Sequence, residues 1–151
     1  AIANDRLIRQ RIPYAAGCIG VAIKAQEMAL DYVPQRETFG APLSTRQSIQ
    51  WMLVDNDIDI KQSLWSILEA AAKAQQGEAF RKEAAMAKLV ATEAGGRVVD
   101  RCMQMFGGLG VAKDLPFERW YREMRIRRIG EGPSEVQRHV IARELLGASL
   151  R

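Results

Sequence analysis

Apolar side chains recur at steps of three and four residues through almost the whole chain, and no period-two alternation persists over a useful length. Such a chain can bury its apolar stripes only by packing helix on helix, so it reads as all-α with no sheet. Ala15, Cys18, Ala22, Ala25, Ala29 and Tyr32 fall on one stripe of a first helix, and Leu7 and Arg11 carry its phase backward. Pro13 lacks an amide donor and is expected to kink that helix or mark its effective start, and Pro34 to stop it. Gln35 to Leu43 has no amphipathic period and reads as a loop. Ser44 and Gln47 have capping-box spacing and would open a second helix. Its inner face would carry Ile49, Leu53, Ile60, Leu64, Ile67, Ala71 and Ala74, with Gly77 as terminator. A third helix is expected from about Glu78 to Phe106, through Ala85, Leu89, Thr92, Gly96, Val99 and Met103, until Gly107, Gly108 and Gly110 break it. Pro116 fits the first turn of a short helix ending near Arg128, and Pro133 that of a last helix ending near Leu146, before Gly147. The sum is an antiparallel bundle of three long and two shorter helices. Each long helix would span about 40 Å at 1.5 Å per residue. Ala15, Ala22, Ala29 and Gly96 imply close helix approach.

Composition narrows the classes further. A length of 151 residues suits one compact domain, and 48% hydrophobic content can fill a core. Twenty-two Lys and Arg against 18 Asp and Glu leave a net charge of +4, too slight for a dedicated nucleic-acid binder. Cys18 and Cys102 both lie on apolar faces, so no disulfide framework is suggested. No apolar run approaches the roughly 20 residues that span a bilayer, and no signal peptide opens the sequence. A first residue of Ala rather than Met predicts a segment of a longer protein.

Function must be sought in the loops, because helical bundles host many chemistries. Gln35 to Gly40 places Arg36, Thr38 and Phe39 together at a helix end. A planar guanidinium matches diphosphate oxygens, and Phe39 would stack on a ring system. The same residues also satisfy a plainer reading, an arginine facing a helix dipole with Phe39 plugging the loop. Gln104 to Gly110 is rich in glycine, which either lets backbone approach a ligand or simply ends a helix. In the third loop, Glu131 lies between Gly130 and Gly132 just before a helix start. A carboxylate with small neighbours in an apolar cleft suits a general base. A carboxylate at a helix N-terminus is also stabilising without any chemistry, and that reading suits Glu135 better than Glu131.

Taken in order, these loops resemble the acyl-CoA dehydrogenase family along the whole chain. The resemblance rests on Arg36-Glu37-Thr38-Phe39-Gly40 followed by Gln47, on Gln104-Met105-Phe106-Gly107-Gly108, and on Glu131-Gly132 with Gln137 and Ala142-Arg143-Glu144. It implies the C-terminal helical domain of a flavoenzyme, normally preceded by a helical N-terminal and a middle β domain. By the same resemblance FAD is the cofactor. Arg36 would contact its diphosphate across a subunit interface, and Thr38, Phe39, Gln47, Gln104, Gly107 and Gly108 would line it. The implied reaction is α,β-dehydrogenation of an acyl-CoA thioester, with Glu131 taking the α-proton as hydride leaves for the flavin. Gly132 and Arg11 would face the substrate, although Arg11 also reads as an exposed helix charge. Some members carry the base on the first helix, where this chain has Gln10, which cannot ionise. An electron-transfer flavoprotein-type acceptor and a homotetramer are implied, with the alanine stripes compatible with central packing. In a bacterial source the location would be the cytoplasm.

The chain departs from the family at two positions. Gly130 and Pro133 stand where many relatives carry a tyrosine and a threonine. Ser134 would replace the lost hydroxyl near the flavin, and the missing ring would widen the acyl pocket. Among the remaining residues, Arg119, Arg122, Arg125, Arg127 and Arg128 read as a solvated or inter-subunit face, and His139 as surface or packing. Trp51, Trp65 and Trp120 read as core or interface aromatics. Three rival readings remain: an acyl-CoA oxidase or flavin monooxygenase on the same scaffold, a non-catalytic helical oligomerisation module, and a diverged nucleic-acid binder.

Overall fold

The computed structural model describes residues 2–147, with side chains from Arg6 onward. Three long helices, α1 (Ile2–Tyr32), α2 (Gln47–Gln76) and α3 (Arg81–Phe106), form the body. A one-turn helix α4 (Gly108–Val111), a basic helix α5 (Phe117–Arg127) and α6 (Ser134–Leu146) complete it. Among the described residues no helix is long and apolar enough to cross a membrane.

Helix α3 is the centre: α1, α2, α5 and α6 all pack on it. Accordingly its burial is not one stripe. Ala84, Ala85, Ala87, Ala91, Ala94, Val98, Val99 and Cys102 are all fully buried. A helix clad on several sides must be small-sided, and alanine meets that need without losing helix propensity. The expected stripe of α1 is real, with Ala15, Cys18, Ala22, Ala25 and Ala29 at zero exposure. It is spent inside the chain against α3 rather than on an assembly. Gly95 shows how close α1 comes, since a Cβ there would lie 3.4 Å from the Cys18 carbonyl oxygen.

Several expectations are corrected. Helix α1 runs through Pro13 without ending there. Ile8, not Leu7, continues its buried phase, and Leu7 is exposed. The segment after α1 is a tight hairpin, with β1 (Glu37–Thr38) antiparallel to β2 (Ala41–Pro42), so the chain has a small sheet after all. Phe39 and Gly40 turn it at φ of +50° and +74°. The Ser44–Gln47 capping box does not form. Leu43–Thr45 is a 3₁₀ turn, and the N-cap of α2 is Arg46 in extended conformation with no side-chain cap. Arg46 instead donates from its guanidinium to the Thr38 carbonyl, tying hairpin to helix.

Gly77 ends α2 in the left-handed region, with its amide and that of Glu78 bonded back to Ala74 and Lys73. That turn occupies residues 77–80, which is why α3 starts at Arg81 rather than Glu78. The glycines after Phe106 do not merely break the helix, because α4 follows at once. On α2, polar Asn56 and Ser63 are buried where Leu64 had been expected to be. Ser63 bonds the Asp59 carbonyl, while the Asn56 amide meets Gln26 and Cys102 and its oxygen meets Arg101, so both are satisfied. Leu64, Trp51 and Trp65 face out, the tryptophans at 62% and 73% exposure, so neither is core. Trp120 meets Phe117 edge-on, next to the Tyr32–Phe106 stack.

Candidate active site

The third loop joins α5 to α6 and is held from beneath by α3. The Ile129 and Gly130 amides both return to the Ile126 carbonyl, closing α5. Pro133 then caps α6 in extended conformation. Between them Glu131 takes φ of +56° and Gly132 φ of +90°. A glutamate in the left-handed region costs about 1–3 kcal/mol and persists only where surrounding contacts over-determine it. Those contacts are present. The Gln137 amide donates to the Glu131 carbonyl at 3.0 Å and the Gly132 carbonyl at 2.9 Å. Lys88, on α3, donates to the Gly132 carbonyl at 2.9 Å and the Arg128 carbonyl at 3.4 Å.

The Glu131 side chain is only partly buried, but its Oε2 is buried without a hydrogen-bond partner. Arg11 on α1 is close enough to feel the Glu131 charge. It is 7% exposed, and its Nε and Nη1 are also buried without partners. The exposed-charge reading of Arg11 is therefore excluded. Burial pushes the guanidinium pKa down and Arg81 adds to this, while the Glu131 charge pulls it back up. The two are near enough to interact but form no ion pair within 4.0 Å among the described residues. Buried donors and a buried acceptor left open this near one another are what a polar ligand would satisfy. Gln10, one residue before, points to solvent.

Tyr14 fills the space that Gly130 leaves. Its hydroxyl would lie 2.5 Å from a Cβ at position 130, so any side chain there requires the phenol to move. A ring from α1 thus stands against the position where this sequence has no side chain of its own. The Arg127 guanidinium sits 4.6 Å from the Tyr14 ring centroid. Burial raises the phenol pKa and Arg127 opposes it. On the far side of the loop, Ser134 is buried and donates to Glu93 at 2.6 Å, with Arg128 at 3.4 Å from the same carboxylate. Burial raises the Glu93 pKa, but those two partners outweigh it and hold the carboxyl below its ordinary value. The basic run is thus divided: Arg119, Arg122 and Arg125 are solvated, whereas Arg127 and Arg128 pack against Tyr14 and Glu93.

The first two loops meet elsewhere. The end of α1, the hairpin, the start of α2 and the end of α3 enclose a groove of about 370 Å³. Arg36, Thr38, Gln104, Gly107 and Gly108 all line it, as sequence reading grouped them. A Cβ on Gly107 or Gly108 would meet nothing within 4 Å. Phe39 stands at the hairpin tip, 99% exposed, so it plugs nothing. Gln47 opens α2 at the groove's edge, and its neighbour Ser48 is the residue in the lining. Ser134 is not part of this groove and lines a separate cavity with Glu93 and Arg128. Arg11, Glu131 and Gly132 form the other group. Sequence reading missed Lys88, Glu93 and Tyr14. A lysine inside the run Ala85-Met86-Ala87-Lys88-Leu89 was the available signal for the first.

The family model described as "Acyl-CoA dehydrogenase, C-terminal domain" matches residues 1–146. The mitochondrial short-chain specific acyl-CoA dehydrogenase of Bos taurus is 41% identical over 145 residues, covering 96% of this chain and 35% of that protein. The solved butyryl-CoA dehydrogenase of Megasphaera elsdenii superposes with a TM-score of 0.90 at 38% identity, covering 93% of this chain and 37% of that one. A structure described as an electron transferring flavoprotein of Acidaminococcus fermentans, in work on flavin-based electron bifurcation, gives 0.94 at 36% identity, covering 97% and 38%. The chain therefore spans little more than a third of the length of these relatives. Matched along nearly all of its length by the family's C-terminal domain, it belongs to the acyl-CoA dehydrogenase family.

Proposed function

We propose that this chain is the base-bearing C-terminal helical domain of a larger FAD-dependent enzyme that dehydrogenates an acyl-CoA thioester between its α and β carbons, with helical N-terminal and middle β domains ahead of it. The observation that carries this reading is the Glu131 carboxylate, held in a left-handed backbone with Oε2 buried and unpartnered beside the unpartnered Arg11 guanidinium.

The groove fits part of a dinucleotide. Its donors are a guanidinium, an amide and a hydroxyl from Arg36, Gln104 and Thr38, and its glycine wall is open. This donor set suits a diphosphate and polar ring edges, with Phe39 and Gln47 at the rim. FAD is larger than the groove and would extend onto other domains or a second subunit, which fits an exposed Phe39. When bound, FAD would accept the β-hydrogen with its electron pair. Glu131 would take the α-proton on its carboxylate, leaving the new carbon–carbon double bond in the substrate. Arg11 would offer its buried N–H donors to oxygen where charge develops, and Gly132 would let the backbone turn beside the base at φ of +90°. Electrons would then pass to an electron-transfer flavoprotein-type acceptor.

The exposed face of α2 suits a homo-oligomer, up to the tetramer that the family implies. Trp51, Val54, Ile58, Trp65 and Leu68 recur at helical spacing on its outer side. An anaerobic visible-absorbance titration of the complete protein with acyl-CoAs of graded length, beside Glu131→Gln, tests the proposal. Flavin bleaching by one length class, lost by about 10²–10⁴-fold in rate in a variant that still binds FAD, is expected. A flavin-loaded protein that no acyl-CoA reduces would refute it. Reduction followed by rapid reoxidation by oxygen would assign an oxidase or monooxygenase. A folded protein that binds no flavin would leave the oligomerisation module.

A further inference from the structure

We propose that Lys88 is a positioning residue for the reaction: from beneath the loop, its buried ammonium, acting with the Gln137 amide, fixes the backbone that aims the Glu131 carboxylate. This rests on the assignment of Glu131 as base.

Lys88 has no exposed surface, an unusual state for a lysine. A buried ammonium must have its donors satisfied. Two of its three are met by the carbonyls of Gly132 and Arg128. On the α1 side it faces the Tyr14 ring, 5.8 Å from the centroid. All three of its contacts therefore lie in the loop or in the side chain that packs against the loop. Gln137, also fully buried, supplies the other two bonds. Together they hold the carbonyls of residues 128, 131 and 132, and among the described residues no other side chain donates to these three. The left-handed Glu131 lies between the held points. Released from them, the residue has no reason to keep that conformation, and the carboxylate would lose its fixed direction.

Lys88 hydrogen-bonds only to backbone, faces an aromatic ring and lies within charge range of Glu131, so it acts through the base rather than on the substrate. Misplacing a reacting group by about 1 Å costs on the order of 10²-fold in rate. A positioning role therefore predicts a loss in the proton-abstraction step with little change in substrate binding. An effect confined to Glu131 also predicts that the loss vanishes once the base is gone.

The test is a double-mutant cycle in the complete FAD-loaded enzyme, with anaerobic flavin reduction by a saturating acyl-CoA followed in a stopped-flow instrument. Lys88→Met keeps the length of the side chain and removes its donors. It is expected to slow reduction by about 10–100-fold, with KM and flavin content within about threefold of wild type. In the Glu131→Gln background the same change is expected to have no further effect. Lys88→Met reducing flavin at the wild-type rate would overturn the inference, as would a loss that multiplies with that of Glu131→Gln. If Lys88→Met fails to fold, Lys88→Gln replaces it in the same cycle, with a smaller loss expected and the same outcomes decisive. Should Glu131→Gln itself reduce flavin as fast as wild type, the base assignment falls and this inference with it, a failure visible in that single variant alone.

Discussion

The two glycine-rich loops at the ends of α3 and α5 use the same residue for opposite purposes. Gly107 and Gly108 border open space, with no atom within 4 Å of where a Cβ would stand. Gly130 and Gly132 border crowded space, where a Cβ would meet the Tyr14 hydroxyl at 2.5 Å and the Gln137 amide nitrogen at 2.8 Å. The first loop is a wall left clear for something to lie against. The second is a segment pressed onto its supports so that one carboxylate keeps its direction. Glycine content alone does not separate a binding surface from a positioning device, whereas the atoms facing the missing side chain do.

The largest contrast is expected between Gly132→Ala and Gly108→Ala. The former puts a side chain at φ of +90° and drives it against Gln137. It is expected to cost about 1–3 kcal/mol in stability and at least about tenfold in flavin reduction, with FAD affinity unchanged. The latter enters open space at an ordinary backbone and is expected to change stability by less than about 0.5 kcal/mol while weakening FAD binding. Chemical denaturation and flavin-release titrations separate the two. Equal stability losses, or FAD affinity lowered by Gly132→Ala alone, would dissolve the comparison.

A smaller effect concerns pH. Glu93 staples the loop side through Ser134 and Arg128. Its folded-state carboxyl lies below the ordinary 4.5, so the unfolded chain takes up the proton more readily. That contribution is complete above about 4.5 and is lost as pH falls through the lower folded value. Glu93→Gln should therefore lower stability at neutral pH and flatten its decline in acid, as read by melting temperature from pH 3 to pH 7. An unchanged acid limb would show that the staple carries no charge-dependent stability.

The smallest effect tests Tyr14. Gly130→Ala should destabilise the protein by about 0.5–1 kcal/mol, and less in a Tyr14→Phe background, because only the hydroxyl is in the way. Strict additivity of the two changes would mean that the phenol does not occupy that slot.

What the sequence disclosed divides along physical lines. Periodic burial was legible: the α1 stripe from Ala15 to Ala29 and the ends of α2 and α6 at Gly77 and Gly147 stand as read, while Pro116 and Pro133, expected in the first turn of their helices, cap them from one residue before. Local hydrogen bonding was not. The Ser44–Gln47 spacing fits a capping box, but the hairpin carries its residues into a 3₁₀ turn, and Arg46 takes over the junction. Two-residue strands leave no period to detect. On α2 the polar Asn56 was passed over because the partners that make its burial tolerable come from α1 and α3. The same limit hid Lys88. Its partners are carbonyls 40 and 44 residues away, and a carbonyl leaves no trace in a sequence. Arg36, Thr38, Gln104, Gly107 and Gly108, which the family resemblance grouped, do line one groove, whereas Phe39, Gln47 and Ser134 of the same group do not.

The central claim is that Glu131 is a base aimed at a carbon next to a thioester. Its most direct test is exchange of the α-hydrogen of a non-oxidisable acyl-CoA analogue with solvent deuterium, followed by mass spectrometry on the complete FAD-loaded protein. Exchange in the wild type, absent in a Glu131→Gln variant that retains its flavin and its affinity for the analogue, is the predicted result. Exchange persisting at the wild-type rate in that variant would contradict it.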